Sequence, residues 1–214
     1  MHVNNEVVVL PTPSTQRKLL IIFFVAAGNT LSPYITAPFI GVGFSFIIMV
    51  ALELVIGIYA YNSFYRKKNT LSIESVKKSL PFFILVLLMQ MLRINHNHNP
   101  NPIFLFSMAD IPSIVFFVII SPFCEEVFYR GCLFDFLCSL CDAIGAGQGK
   151  IVPLLTTSLI FSLMHTQFIS ISDYGFVFII SLILIRLRII TKGLSLPMIL
   201  HSFVNIIFVI TLIK

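Results

Sequence analysis

Residues 112–133 read PSIVFFVIISPFCEEVFYRGCL, and the meaning of that stretch decides what kind of protein this is. Its length and apolarity suit a membrane-crossing helix, which needs about 20 predominantly apolar residues. Yet Glu125, Glu126 and Arg130 stand in its middle. Each such charge costs about 2.5 to 3.5 kcal/mol at a bilayer centre, so three together point to function rather than packing. Glu126 and Arg130 are four apart, acid first, which places them on one helical face and predicts a forked ion pair. Glu125 is rotated from Glu126 by about 100° and needs another partner. A pair that only fixes helix register accounts for Glu126 and Arg130 but leaves Glu125 unexplained.

The rest of the chain supports a membrane setting. Of 214 residues, 57% are hydrophobic and 11% charged, where a soluble domain is about one quarter charged. The net charge of +5 does not indicate nucleic acid, because the basic residues cluster beside apolar runs and orient spans instead. Cys124, Cys132, Cys138 and Cys141 lie in or beside one apolar segment and read as small hydrophobes. The lone CxxC of Cys138 and Cys141 has no second pair to complete a zinc site. Arg17-Lys18, Leu19 to Val25 and Ala26-Ala27-Gly28 faintly echo a signal peptide, but apolar sequence resumes at once, so a retained first span is expected.

The fold expected is all-α, a polytopic bundle of about seven spans. Leu19 to Tyr61 holds two, broken between Asn29 and Pro38 by Pro33 and Pro38. Arg66 to Ser79 reads as a basic surface helix or loop, Leu80 to Leu92 as a short third span, and Asn95 to Pro102 as a loop. The fourth span lies within Ile103 to Leu137. The fifth starts near Ile151, the sixth covers Tyr174 to Ile190 and the seventh Leu194 to Ile213. Residues 1–102 then form N-terminal spans with a basic loop, and 103–214 the functional core. With the N-terminus in the cytoplasm of a cell membrane, most Lys and Arg residues fall inside and Arg93 and Lys214 outside, as the positive-inside rule requires.

Two more helices carry chemistry. Phe161-Ser-Leu-Met-His165 puts a histidine on the fifth span, and His201-Ser-Phe-Val-Asn205 puts a histidine and an amide one turn apart on the seventh. One membrane histidine is ordinarily a hydrogen bond between helices. Two histidines, an amide and a spare carboxylate together supply a base, a proton carrier and donors, enough to attack a carbonyl with water. A fifth helix starting at Ile151 carries His165 about 10 Å too deep for Glu126 and His201 unless it begins in the cytoplasm, as Lys150 and Pro153 suggest. His96 and His98 read as loop polarity. Glu53 reads as a hydrogen-bonding group or cavity wall, Asp110 and Asp173 as span-edge residues, and Arg186 and Arg188 as snorkelling to the interface.

Glu-Glu-x-x-x-Arg, Phe-x-x-x-His and His-x-x-x-Asn in successive apolar segments resemble the CAAX protease and bacteriocin-processing family of intramembrane endopeptidases. The resemblance covers roughly Pro112 to the C-terminus, down to the Phe128-Tyr-Arg-Gly131 ending of the first motif. It implies that Glu125 activates water as general base and His165 helps hold that water. Glu126 and Arg130 form the supporting pair, while His201 and Asn205 face the carbonyl oxygen. It leaves a metal open. Zinc on Glu125, His165 and His201 is one possibility, but the compact HExxH arrangement is absent and a carboxylate–histidine mechanism without cofactor also fits. The implied partners are a small peptide or lipidated tail, cut near the cytoplasmic interface, and membrane lipid. A non-catalytic bacteriocin immunity protein is the alternative. A proton-coupled transporter ranks third, since no repeated pair of broken helices is seen.

Overall fold

The computed structural model describes residues 12–68, 71–94, 111–145, 150–166, 168 and 170–213. Every regular element among them is helical, and no strand occurs among the described residues. We label the helices α1 (Pro13–Thr30), α2 (Ser32–Ile40), α3 (Val42–Tyr65), α4 (Ile73–Ile94), α5 (Ile111–Ala143), α6 (Ile151–Leu163), α7 (Ile171–Thr191) and α8 (Ser195–Ile213). By length and apolarity α3, α4, α5 and α7 can each cross a membrane. The pair α1–α2, bent by 41°, makes a fifth if it is one broken span. The apolar helices α6 and α8 are shorter, so length and composition identify four or five spans, and the count reaches the expected seven where α6 and α8 also cross. The expected all-α bundle is present. Its outer residues suit lipid rather than water: Tyr34, Phe39, Val42 and Phe44 are all exposed.

Several boundaries differ from the sequence reading, each for a local reason. Pro33 opens α2, where its missing N–H costs nothing, and Pro38 is tolerated inside it. The expected break falls at Leu31, between α1 and α2, and a second comes at Gly41, whose φ of 83° lies in a region that glycine alone enters freely. The basic stretch is no separate surface helix. α3 continues through a 3₁₀ turn to Lys68, and α4 starts at Ile73, so the third span is not short. α5 runs to Ala143, well past Leu137. The Asn95 to Pro102 loop, His96, His98 and Asp110 lie outside the described residues.

Two apolar clusters hold the bundle. Leu19, Phe23 and Ala26 of α1 pack with Ala60 and Tyr65 of α3 and with Cys124, Val127, Phe128, Cys132 and Leu133 of α5. Val86 of α4 packs with Ile180, Ile183, Leu184 and Leu187 of α7 and with Leu196, Leu200 and Val204 of α8. The second cluster therefore joins helices far apart in sequence. One close approach fixes α3 against α5: a Cβ on Gly131 would lie 2.9 Å from a Tyr65 ring carbon, so only glycine fits without movement. All four cysteines are free.

α5 is not a regular α-helix. It widens into π-helical turns at Phe116–Ile120 and Glu126–Leu133. A π turn closes its hydrogen bonds from i to i+5, holds an extra residue and is frequent at functional sites. The second of these segments carries Glu126 and Arg130.

Candidate active site

α5, α6 and α8 bring the three sequence motifs together. Glu126 and Arg130 are both fully buried, and Arg130 Nη1 lies 3.2 Å from Glu126 Oε1. The contact is single, not the fork expected, because the guanidinium face is laid on the Phe161 ring, with its carbon 3.9 Å from the ring centre. That stacking gives a buried cation a second source of stabilisation. Glu126 Oε1 also accepts a 2.8 Å hydrogen bond from His201 Nδ1. Glu126 thus ties α5 to α8.

Glu125 has different surroundings. Its side chain is 25% exposed. Ser121, one turn earlier, donates its hydroxyl to Oε1. Oε2 has no hydrogen-bond partner among the described residues, but it lies 3.7 Å from His201 Nε2 and 3.9 Å from His165 Nε2. The two rings are held in known orientations. His165 Nδ1 donates to the Phe161 carbonyl at 2.7 Å. His201 Nδ1 donates to Glu126. With Nδ1 protonated in each, a neutral ring presents an unprotonated Nε2 to Glu125.

His165 does not sit on a span. α6 ends at Leu163, and His165 follows in the turn beyond, its N–H bonded to the Ser162 carbonyl. His165 is nevertheless level with the other site residues, since its Nε2 lies 3.9 Å from Glu125 Oε2. Arg188 near the end of α7 pairs with Asp135, whereas α5 continues about 12 Å past Asp135 and packs there against α6. Asn205 is buried on α8, where its Nδ2 donates at 2.8 Å to the Phe117 carbonyl in the first π segment of α5.

These groups open onto a cavity of about 270 Å³, lined among others by Glu125, His165, His201, Asn205 and Arg93. At one end it meets Phe161, on which Arg130 stacks. It extends to Phe168, Phe208 and Arg93, at the ends of helices α4, α6 and α8 that lie opposite Lys77, Lys150 and Lys192.

Sequence reasoning missed three partnerships, those of Arg93, Arg188 and Ser121. Arg93 is no solvated loop charge: it pairs with Asp173 at 2.6 Å and faces the cavity. Arg188 does not snorkel. It makes two hydrogen bonds to Asp135, at 2.7 and 2.8 Å, and donates to the Arg130 carbonyl. Arg186 is exposed as expected. Ser121 precedes Glu125 by one turn, a spacing that was readable but unremarkable. Glu53 was read as a hydrogen-bonding group and accepts from Thr30. Among the described residues, no three His, Cys, Asp or Glu side chains form a group that could hold a metal ion. The zinc set Glu125, His165 and His201 thus does not fit a metal as it stands.

The model of the Rce1-like family, described as type II CAAX prenyl endopeptidase Rce1-like, matches residues 107–207, just under half of the chain. The matched range contains all three motifs. The match supports, at the level of the family, a CAAX-type intramembrane protease and hence a peptide substrate and a multi-pass membrane setting. No curated protein matches the chain, and no solved structure does.

Proposed function

We propose that the chain hydrolyses a peptide bond of a small peptide or lipidated tail inside the membrane, with Glu125 as general base. The carrying observation is the convergence of His165 Nε2 and His201 Nε2 on the free oxygen of Glu125. A water resting between Glu125 Oε2 and His165 Nε2 directs its two protons at these two acceptors and leaves a lone pair free for the substrate carbonyl. As the water oxygen bonds to the carbonyl carbon, Glu125 takes its proton. Collapse of the tetrahedral species breaks the C–N bond, and the proton passes from Glu125 to the leaving nitrogen. His201 enters this step carrying a proton taken from solvent on Nε2; the charge of that imidazolium faces Glu126, and its Nε2–H donates to the oxyanion without being transferred. Asn205 stands beside it as a second donor, with one N–H held by Phe117. No step is routed through a metal.

The deciding measurement is mass spectrometry of candidate precursor peptides incubated with purified protein. Glu125→Gln keeps the shape but cannot accept the proton, so cleavage should fall by about 100-fold or more. His201→Ala and Asn205→Ala should impair turnover more than substrate capture, because oxyanion donors act in the transition state. Equal cleavage by wild type and Glu125→Gln removes Glu125 as base. Intact protection of cells against a bacteriocin by a cleavage-dead variant turns the reading to an immunity protein that only binds. Loss of cleavage in chelator, restored by zinc, turns it to a metalloprotease.

We infer from the basic bias that the N-terminus and the Lys77–Lys78 end of α4 face the cytoplasmic side of a cell membrane. In a cysteine-free background, an impermeant maleimide added outside should label Ile171→Cys, a fully accessible position, and spare Ser72→Cys. The reverse pattern inverts the orientation.

A further inference from the structure

The catalytic cavity has a second charged end, which the proposed hydrolysis leaves unused. Arg93, in the last turn of α4, lines the same cavity as Glu125. Its guanidinium is caged by three phenyl rings, 4.5 Å from the centre of Phe176, 5.5 Å from Phe208 and 5.7 Å from Phe168. All three rings also line the cavity. The side chain is 12% exposed, so its donors are largely withdrawn from water while still reaching the hollow.

We propose that Arg93 is a specificity-determining residue that binds a carboxylate of the substrate peptide. The argument rests on shape, charge and anchoring. A guanidinium is permanently charged and presents five N–H donors in a planar fork that matches a carboxylate. The phenyl cage orients that fork and makes its hydrogen bonds stronger than they would be in water. Asp173 takes up one Nη2 contact, but it does not depend on Arg93 alone. It lies in the first turn of α7, where the helix dipole favours a negative charge. Asp173 therefore holds Arg93 in place without consuming the whole fork. An acid and two histidines at one end, a cation at the other and aromatic walls between them fit a short apolar peptide that carries a carboxylate. That carboxylate comes either from the free C-terminus or from an acidic side chain.

The inference rests on the peptidase reading for its substrate, and the test separates the two. Three probes are used: an apolar hexapeptide with a free C-terminal acid, its C-terminal amide, and the amide with glutamate as its last residue. Their cleavage is followed with wild-type protein. Their binding is followed by fluorescence anisotropy on Glu125→Gln protein, so that a failure of cleavage does not silence the second measurement. A carboxylate on Arg93 predicts that the free-acid peptide, the glutamate peptide or both are preferred over the plain amide by about tenfold or more, the scale of a charge-assisted hydrogen bond. If only the free-acid peptide is preferred, the C-terminus is the source; if the glutamate peptide matches it, a side chain suffices.

Arg93→Gln should bring the acid-to-amide ratio close to one. Arg93→Lys, which keeps the charge but not the fork, should retain part of it. Asp173→Asn, by freeing the guanidinium, should raise it. Melting temperatures in detergent identify any variant that fails to fold, and Arg93→Lys and Asp173→Asn then carry the result. The proposal is overturned if wild type binds and cleaves acid and amide alike, or if the ratio survives in Arg93→Gln. Acid-selective binding to Glu125→Gln with no cleavage by wild type would uphold the Arg93 site and sink the peptidase reading.

Discussion

The first four helices and the last four are built from the same apolar alphabet and put it to different use. The spans of α3 and α4 are each 17% buried inside the bundle, against 28% for α5 and 39% for α7. Interior polarity divides the same way. In α1 to α3 the hydrogen bonds are fastenings within that group, such as Asn29 to the Met49 carbonyl and Thr30 to Glu53, while Gln90 and Arg93 of α4 reach across to α8 and α7. In the second half they form a continuous network in which Glu126 bonds His201 and contacts Arg130, and Arg188 bonds the Arg130 carbonyl. The family match begins at residue 107 and so covers only that second half. Apolar composition tells where a chain lives. The cost of burying charge tells where it works.

The difference can be strained at both of its ends. Beyond the loss expected for Glu125→Gln, the largest effect should come from Arg130→Ala. It strips a fully buried carboxylate of its cation, and breaking such a pair costs about 3 to 5 kcal/mol. The variant should melt far below wild type in detergent and lose cleavage as well. Wild-type stability and full activity would mean that the C-terminal half is not held by this pair. The smallest effect should come from Glu53→Gln. The amide oxygen still accepts from Thr30, so stability should move by about 0.5 kcal/mol or less and cleavage by about twofold. A loss near that of Glu125→Gln would bring α3 into the chemistry and dissolve the contrast between the halves.

How far the molecule could be read from its sequence follows the same physics. Glu125, Glu126, Arg130, His165, His201 and Asn205 stood out because each interrupts an apolar run, and the structure gathers them at one cavity or directly behind it. Arg93, Asp173 and Asp135 did not stand out. They lie near the ends of apolar runs, where a charge normally has water or headgroups for company, so nothing in composition marks them as paired. The break expected between Asn29 and Pro38 is there, at Leu31, but a second at Gly41 went unread and a basic run was taken for a break before Ile73. Position along a helix also misled for His165, since the residue that meets Glu125 lies just past the helix rather than on it.

The π-helical segment of α5 has a consequence for comparing this chain with its relatives. A turn closed from i to i+5 accommodates a residue that a regular helix of equal length would not. Every side chain after Leu133 is therefore out of phase with a 3.6-residue wheel drawn from Ile111. A relative with an unwidened helix would align with Glu125 on one side of the bulge and with Asp135 on the other only through a one-residue gap. The proper place for that gap is between Glu126 and Leu133, inside the helix, where alignment penalties ordinarily forbid it. Ungapped, such an alignment keeps the glutamates in register and shifts the Arg188 partner Asp135 by one position, turning a shared ion pair into an apparent substitution.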